Sequence, residues 1–155
     1  MDEQGASEAG GITAMSPDAR FGASPVLLLA EDEALIGYTL GEDLIEEHFT
    51  LAGPFSRSAE ALAWLEVNAP DCAILDYRLR DGPATRLAAE LRRRGVPFIV
   101  FSGHDRGQGV PADFVGVPWV EKPAGVEAIQ AALQTLIVWP AAIDAPGATR
   151  EQQLA

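Results

Sequence analysis

The sequence predicts an α/β protein built on a doubly wound, five-stranded parallel sheet. Short, continuous apolar runs alternate along the chain with segments in which apolar residues recur at helical spacing. The runs are too short for surface helices, and their unbroken apolarity is typical of parallel strands that are buried on both faces. Regular alternation of strand and helix indicates parallel pairing with right-handed crossovers.

Five segments are predicted to be strands. Gly53-Pro54 interrupts the second, and proline inside a strand is typical of an edge position. The third contains Cys72, the single cysteine, which excludes an intrachain disulfide and is expected to be a small buried apolar residue. The predicted strands cover residues 26–30, 51–55, 71–76, 97–101 and 117–120.

The sequence predicts four clear helices. A further helical segment, between the fourth and fifth strands, is expected to be short or degenerate. That segment, residues 104–116, contains three glycines and Pro111. Ser58 is the predicted N-cap of the second helix, Pro83 is placed in the first turn of the third, and Gly95 at its C-cap. The four clear helices cover residues 34–49, 58–68, 83–94 and 125–138.

Helical spacing also predicts which side chains face the sheet. Gly37 and Gly41 in the first helix either weaken it or allow something to pack closely against it. The side chains on the apolar stripes are Leu35, Ile36, Leu40, Leu44 and Ile45 in the first helix, Ala59, Leu62, Ala63 and Leu65 in the second, and Val126, Ile129, Leu133, Leu136 and Ile137 in the last.

The 155 residues are expected to form one domain with a flanking segment at each end. Residues 1–24 are rich in Gly, Ala and Ser without periodicity, which predicts a flexible leader. Residues 25–139 carry every predicted element, and residues 140–155, rich in Ala, Pro and Gln, are predicted to be a loose tail. This organisation leaves no stretch for an output domain of ordinary size, so a single-domain protein is expected.

The composition argues against several classes of function. A net charge of −12 opposes binding to nucleic acid, which depends on neutralising phosphates, and to anionic membranes. The arginines at 92–94 form the one basic cluster in the sequence, and we interpret them as solvated charges at a helix C-terminus. No apolar run approaches the roughly 20 residues of a membrane span, and the N-terminus lacks a signal-peptide pattern. We therefore expect a cytoplasmic protein.

Polar side chains collect where the predicted strands end. Parallel strands bring their carboxyl ends to one edge of the sheet, which is where ligands bind in open α/β sheets. Carboxylates held close together there repel one another unless a cation is present or their pKa rises. Mg²⁺ fits because it uses few carboxylates and keeps several waters. The side chains at this edge are Glu31 and Asp32 after the first strand, Asp76 after the third, Ser102 after the fourth and Lys122 after the fifth.

Lys122 is the only lysine in a chain that otherwise uses arginine. Its compact ammonium suits a site that must hold a small anion and release it. An ammonium, the Ser102 hydroxyl and a bound cation around one carboxylate indicate a place for a phosphoryl group. This arrangement predicts that the Asp76 carboxylate is the nucleophile that accepts it. The competing interpretation is a structural salt bridge between Lys122 and a carboxylate, with Ser102 capping its strand.

Residues 25–139 resemble the receiver domain of two-component response regulators. Residues 26–33, Val-Leu-Leu-Leu-Ala-Glu-Asp-Glu, resemble the first strand and its acidic pair, and residues 74–76, Ile-Leu-Asp, resemble the phospho-acceptor strand. Residues 101–103, Phe-Ser-Gly, resemble the Thr/Ser switch position, and residues 119–123, Trp-Val-Glu-Lys-Pro, resemble the Lys-Pro turn. The resemblance implies a flavodoxin-like sheet with strand order 2-1-3-4-5.

The resemblance also implies a role for each residue at this edge. Asp76 would accept the phosphoryl group from a phosphohistidine on a histidine kinase or a histidine phosphotransferase. Lys122 and Ser102 would contact the phosphoryl group, and Trp119 would occupy the place of the switch aromatic. The implied Mg²⁺ ligands are Asp32 directly, Glu31 through water, Asp76, and the backbone carbonyl of Arg78.

The chain departs from the family pattern at several positions. The turn after Asp76 reaches Gly82 about two residues early, and it has Arg80 where proline is usual. The first acidic position is Glu31 rather than the commoner Asp. Ser-Gly at 102–103, with the weakened fourth helix, is similar to a divergent set of stand-alone receivers that have Thr-Gly there. These departures put the metal geometry and the switch surface in question.

Three functions are weighed. The first is a single-domain response regulator that serves as a relay, a phosphate sink or a phosphorylation-dependent partner binder, and that catalyses at most its own phosphorylation and dephosphorylation. The second is a pseudo-receiver that binds a protein without phosphate. The third, an Mg²⁺-dependent aspartyl phosphatase, generally needs a second Asp where this chain has Arg78. Arg78 and His104 are candidate modulators of dephosphorylation, and the sequence leaves homodimer formation open.

Overall fold

The structure, a computed structural model, describes residues 24–103 and 111–136. Almost all of the predicted leader, His104 and the predicted C-terminal tail lie outside these residues. The described elements are β1 (Val26–Ala30), α1 (Ala34–Glu46), β2 (Thr50–Phe55), α2 (Ser58–Leu65), β3 (Cys72–Leu75), β4 (Arg78–Leu79), β5 (Gly82–Pro83), α3 (Thr85–Arg93), β6 (Phe98–Ser102), a 3₁₀ helix (Ala112–Phe114), β7 (Trp119–Glu121) and α4 (Val126–Gln134).

The five predicted strands form one sheet in the order β2-β1-β3-β6-β7, and every neighbouring pair is parallel. Counted within this sheet alone, the order is 2-1-3-4-5, which confirms the expected topology. The two-residue strands β4 and β5 form a separate antiparallel hairpin between β3 and α3, which the sequence analysis did not predict. No helix in the described residues is long and apolar enough to cross a membrane.

Two hydrophobic cores lie on opposite faces of the sheet, because successive side chains along a strand point to opposite faces. One core joins the strands to α2 and α3 and contains Leu28, Leu75 and Leu87. The other joins the strands to α1 and α4 and contains Cys72, as predicted. Burial raises the pKa of the Cys72 thiol to about 12, so this cysteine stays protonated and inert near neutral pH.

The edge position predicted for β2 is confirmed, and α1 lies very close to it. A β-carbon added to Gly41 would lie 2.9 Å from the end of the Leu51 side chain, which would have to shift, and one added to Gly37 would lie 3.1 Å from Pro54. Gly53 in β2 has a φ of +110°, a conformation that side-chain-bearing residues rarely adopt. The glycines of α1 therefore serve close packing against the edge strand, one of the two alternatives given above.

Helix boundaries and faces depart from the sequence expectations in several places. Leu35 in α1 is 77% exposed and Ile45 is 49% exposed, although both were placed on the apolar stripe. In α2, the side chains packed inward are Ala61 and Leu65, whereas Ala59 and Ala63 are exposed. The third helix begins at Thr85, and Pro83 belongs to β5 instead.

Ser58 is not the N-cap of α2, contrary to the sequence prediction. The N-cap position is Arg57, and the Ser58 hydroxyl is buried with no hydrogen-bond partner among the described residues. The Asp81 carboxylate, from the β4–β5 hairpin, instead accepts the N–H groups of Ser58 and Ala59 at 2.9 and 3.0 Å. Burial acts to raise the pKa of Asp81, but these N–H bonds outweigh it and hold the pKa below its ordinary value.

The expected degenerate fourth helix is represented, in its described part, by one 3₁₀ turn. Phe114, in that turn, is buried, and its ring packs against the rings of Tyr77, Phe98 and Trp119 at centroid distances of 5.2, 6.3 and 6.2 Å. The turn thus closes the core on this side of the sheet with one aromatic side chain.

Replacing Phe114 with Ala should lower the free energy of unfolding by about 3–5 kcal/mol, because it leaves a cavity among three aromatic rings. Val115→Ala is the matched control, since Val115 is 61% exposed, and it should change the stability by about 0.5 kcal/mol or less. Urea unfolding of both variants measures the difference. Equal losses in the two variants would contradict the packing role of Phe114.

Candidate functional site

The carboxyl ends of β1 and β3 bring three acidic side chains together. Glu31 and Asp32 directly follow β1, and Asp76 directly follows β3. One carboxylate oxygen from each of the three lies within 4.8 Å of the others. Glu31 and Asp76 are buried, with 3% and 7% of their surface exposed, so water screens their mutual repulsion poorly. The predicted acidic cluster is therefore present at this edge.

Lys122 bridges two of these carboxylates. Its Nζ lies 2.8 Å from Asp76 Oδ2, and 2.8 and 3.0 Å from the two carboxylate oxygens of Glu31. The Lys122 N–H donates to the Ser102 carbonyl at 3.0 Å, which continues the pairing of β6 with β7. The ammonium also lies 5.6 Å from the centre of the Phe101 ring. The backbone of β7 thus places the only lysine inside the acidic cluster.

The pKa values of this cluster follow from burial and from the ion pairs. Burial raises the pKa of Glu31 above its ordinary value, and the hydrogen bond from Lys122 offsets this only in part. Burial acts to lower the pKa of Lys122, but its hydrogen bonds to Asp76 and Glu31 outweigh burial and raise it. The ion pairs therefore favour the charged form of Lys122, whereas burial acts against the charged form of Glu31.

The other predicted site residues lie beside this cluster. Ser102 is 2% exposed and shares a cleft with Asp32, Asp76, Arg78 and Lys122. The Arg78 N–H lies 3.3 Å from Asp76 Oδ1. The structure brings together Glu31, Asp32, Asp76, Arg78, Ser102 and Lys122, as the sequence analysis expected for this edge.

Trp119 lies outside the charged cluster. The ring of Trp119 is half-buried and packs against Tyr77, which directly follows Asp76, at 5.7 Å between centroids. The predicted switch aromatic is thus in ring contact with the residue next to the predicted phospho-acceptor.

The β4–β5 hairpin after Asp76 is the part of the site that sequence reasoning missed. The Ala84 N–H donates to the Tyr77 carbonyl at 2.8 Å and closes the loop at its base. Gly82 has a φ of +114°, which side-chain-bearing residues rarely adopt. The signal was present in the sequence, because an Asp-Gly pair is a strong short-range indication of a hairpin turn.

The donor set fits a hard divalent cation. Its members are carboxylate oxygens, which are the ligands that Mg²⁺ and Ca²⁺ prefer. Three carboxylates and one ammonium leave a formal charge of −2, and a divalent cation would balance it. The raised pKa of Glu31 shows that Lys122 alone does not offset the burial of the acidic group. The cluster could therefore hold a metal ion.

Comparisons with known proteins identify the family. SdrG from Sphingomonas melonis Fr1 is 33% identical and matches over 73% of this chain and 96% of its own, with a TM-score of 0.63. A second structure of SdrG, in a BeF₃-activated conformation, gives a TM-score of 0.61. The CheY-like receiver domain of a response regulator from Methylobacillus flagellatus is 22% identical, covers 72% and 98% of the two chains with a TM-score of 0.62, and shares the fold. The chain belongs to the response regulator receiver domains.

The sequence relatives agree with this family but are longer proteins. The transcriptional regulatory protein PdtaR of Mycobacterium tuberculosis, from strains CDC 1551 and H37Rv, is 34% identical over 95 residues. The match covers 59% of this chain and 45% of PdtaR, so the chain spans less than half the length of these curated relatives. No family model matches the chain. The predicted resemblance to receiver domains is confirmed.

In the absence of metal ions, the stability of Glu31→Gln relative to the wild type should increase as the pH rises. A group whose folded pKa is raised stabilises the fold fully below its unfolded value of about 4.5, and this contribution is lost as the pH rises through the folded pKa. The amide of the Glu31→Gln variant carries no charge and avoids that loss. The loss of the ion pair with Lys122 shifts the stability of the variant as a whole, so the change of the difference with pH is the quantity to compare.

Urea unfolding in a chelator at a series of pH values measures this difference. Glu33→Gln is the matched control, because Glu33 is an exposed carboxylate in the same turn. A stability difference between the wild type and Glu31→Gln that stays constant between pH 4 and pH 7 would contradict the raised pKa of Glu31.

Proposed function

We propose that this protein is a response regulator whose receiver domain accepts a phosphoryl group on Asp76 in an Mg²⁺-dependent reaction. The observation that carries the proposal is the position of the Asp76 carboxylate. It is buried at a strand end, 2.8 Å from the only lysine and beside two further carboxylates. The ion pairs of Lys122 with Asp76 and Glu31 do not require the third carboxylate, Asp32.

The donor in this proposal is a phosphohistidine on a histidine kinase or a histidine phosphotransferase. A carboxylate oxygen of Asp76 attacks the phosphorus, the P–N bond breaks, and the imidazole leaves with the bonding electron pair and takes up a proton. The product is an acyl phosphate on Asp76. The protein supplies little covalent chemistry beyond this, because phosphoryl transfer depends mainly on positioning and on neutralising charge.

The proposed roles follow the positions of the side chains. Lys122, already bonded to Asp76, contacts the phosphoryl oxygens, and Ser102 donates its hydroxyl to them. When bound, Mg²⁺ offsets the negative charge of the carboxylates and of the phosphoryl group. The proposed Mg²⁺ ligands are Asp32, Asp76 and the backbone carbonyl of Arg78 directly and Glu31 through water.

Readout of the phosphoryl group is proposed to involve Ser102 and Trp119. Ser102 is at the end of β6, and the Trp119 ring already contacts Tyr77. We propose that Arg78, which lines the cleft, and His104 modulate dephosphorylation. Receiver domains are not classical enzymes, and we propose no chemistry beyond the protein's own phosphorylation and dephosphorylation. The downstream role proposed is a cytoplasmic relay, phosphate sink or phosphorylation-dependent partner binder.

Incubation with acetyl phosphate and Mg²⁺ should add one phosphoryl group that is stable in acid and labile in base. Asp76→Asn should remove this labelling, because an amide is not a nucleophile of this kind. Asp71→Asn is the matched control. Asp71 lies just before the other end of β3, where its carboxylate accepts the Val26 N–H at 2.7 Å, and this variant should label like the wild type. Intact-protein mass spectrometry measures both. Labelling of Asp76→Asn at the wild-type level would refute the assignment.

A pseudo-receiver is the second candidate, and one observation favours it. Lys122 pairs with both Glu31 and Asp76, so part of the acidic charge is neutralised without a metal ion. If the protein is a pseudo-receiver, it should not bind Mg²⁺. It should also bind a protein partner with the same affinity in the presence and in the absence of beryllofluoride. Calorimetric titration of the wild type with Mg²⁺ separates the two functions.

A further inference from the structure

The tip of the β4–β5 hairpin is tied to the junction between β2 and α2. The Arg80 N–H donates to the Ser56 carbonyl at 2.9 Å. The Asp81 carboxylate accepts the N–H groups of Ser58 and Ala59, which lie 23 and 22 positions earlier in the chain, at 2.9 and 3.0 Å. Three hydrogen bonds thus join the loop that follows Asp76 to the start of a neighbouring helix.

Apart from these three hydrogen bonds and its buried base, little else holds the hairpin in position. Each of its strands has two residues, and an isolated two-stranded hairpin is marginally stable at best. Leu79 is buried in the core beside α2 and α3, but Arg80 and Asp81 at the tip are exposed. The position of the tip therefore depends on its bonds to the β2–α2 junction.

Arg80 makes a bond that proline could not make. Proline fixes φ but has no N–H, so it could not donate here. In this chain the Arg80 N–H bonds to the Ser56 carbonyl, and Asp81 follows with two further hydrogen bonds. These long-range hydrogen bonds hold the tip of the hairpin.

The hairpin leads directly back to the proposed phosphorylation site. Arg78 is its first residue and pairs with Pro83 across the hairpin. The Arg78 N–H lies 3.3 Å from Asp76 Oδ1. Because only one residue separates Asp76 from Arg78, a displacement of the hairpin moves the Arg78 backbone relative to the Asp76 carboxylate.

We propose that Asp81 is a positioning residue for the cation site, an inference that rests on the proposed function. By holding the hairpin tip against α2, the Asp81 carboxylate keeps the Arg78 backbone in place beside Asp76. Groups that orient the ligands of a metal typically change its affinity by about 10- to 100-fold when they are removed. Asp81 acts through Arg78 and has no contact with the cation or the phosphoryl group.

The competing role of Asp81 is only to cap α2, and the sequence allows the two roles to be separated. Arg57 occupies the N-cap position with extended backbone, φ −136° and ψ 146°. Arg57→Ser would create the Ser-x-x-Glu capping box with Glu60, which caps α2 locally. It also removes the charge of Arg57 that acts on Asp81, so R57S alone is the reference for the double variant. The double variant R57S/D81A therefore has a capped α2 but lacks the two hydrogen bonds by which Asp81 joins the hairpin to α2.

The experiment compares the full-length wild type with R57S, D81A, D81N and R57S/D81A. Calorimetric titration with Mg²⁺ gives the dissociation constant, and urea unfolding gives the stability of each protein. D81A is expected to bind Mg²⁺ about 10-fold more weakly and to unfold at lower urea concentration. D81N retains one acceptor oxygen and should lie between D81A and the wild type in both measurements. R57S alone should bind Mg²⁺ like the wild type.

The double variant decides between the roles. Recovery of the urea midpoint with Mg²⁺ binding still about 10-fold weaker would support the positioning role. Recovery of both would show that Asp81 only caps the helix and would overturn the inference, as would wild-type affinity in D81A. A wild type without measurable Mg²⁺ affinity would instead overturn the proposed function, and the inference with it.

Discussion

The ion pairs of Lys122 are the interaction on which the rest of the site depends. Glu31 and Asp76 are both buried, and burying a carboxylate without a partner is strongly unfavourable. Lys122 supplies the partner for both, from 91 and 46 positions along the chain. The sheet makes this pairing, because parallel strands bring residues from distant parts of the chain to the same edge.

The same pairing leaves the site incompletely neutralised. Lys122 offsets one of three negative charges, and Glu31 keeps a raised pKa. Burial and unbalanced charge in a cleft mark a candidate functional site. The cluster could hold a cation, and in the proposed function that cation would offset the charge of an approaching phosphoryl group.

The sequence predicted the strands and their polar ends well because both depend on local pattern. Continuous apolar runs mark buried parallel strands, and a polar residue after each run marks the functional edge. The cap of α2 could not be predicted this way. Ser58 is a residue type that caps helices, but the acceptor is Asp81, which tertiary structure brings from 23 positions away. The residue type of Ser58 correctly indicated where α2 begins, but it did not indicate that Asp81 accepts the hydrogen bonds there.

Helix faces were the other point at which local pattern failed. In α2, Ala59 and Ala63 are as apolar as Ala61, and only the position of the sheet decides that Ala61 is buried. Leu35 in α1 satisfies the helical spacing and is nevertheless exposed. The short, alanine-rich helix α2 carries too weak a periodicity to define one face, so packing against the sheet decides which of its side chains are buried.

The aromatic cluster connects the proposed phosphorylation site to the degenerate helix region. Tyr77 directly follows Asp76, and its ring contacts both Phe114 and Trp119. Phe114 also contacts Trp119, so the three rings form a closed set. Close-packed side chains do not move independently, because a rotamer change in one leaves a void or a clash beside another. We therefore expect a change in the backbone at Asp76 to reach Trp119 by two routes, the direct contact of Tyr77 with Trp119 and the path through Phe114.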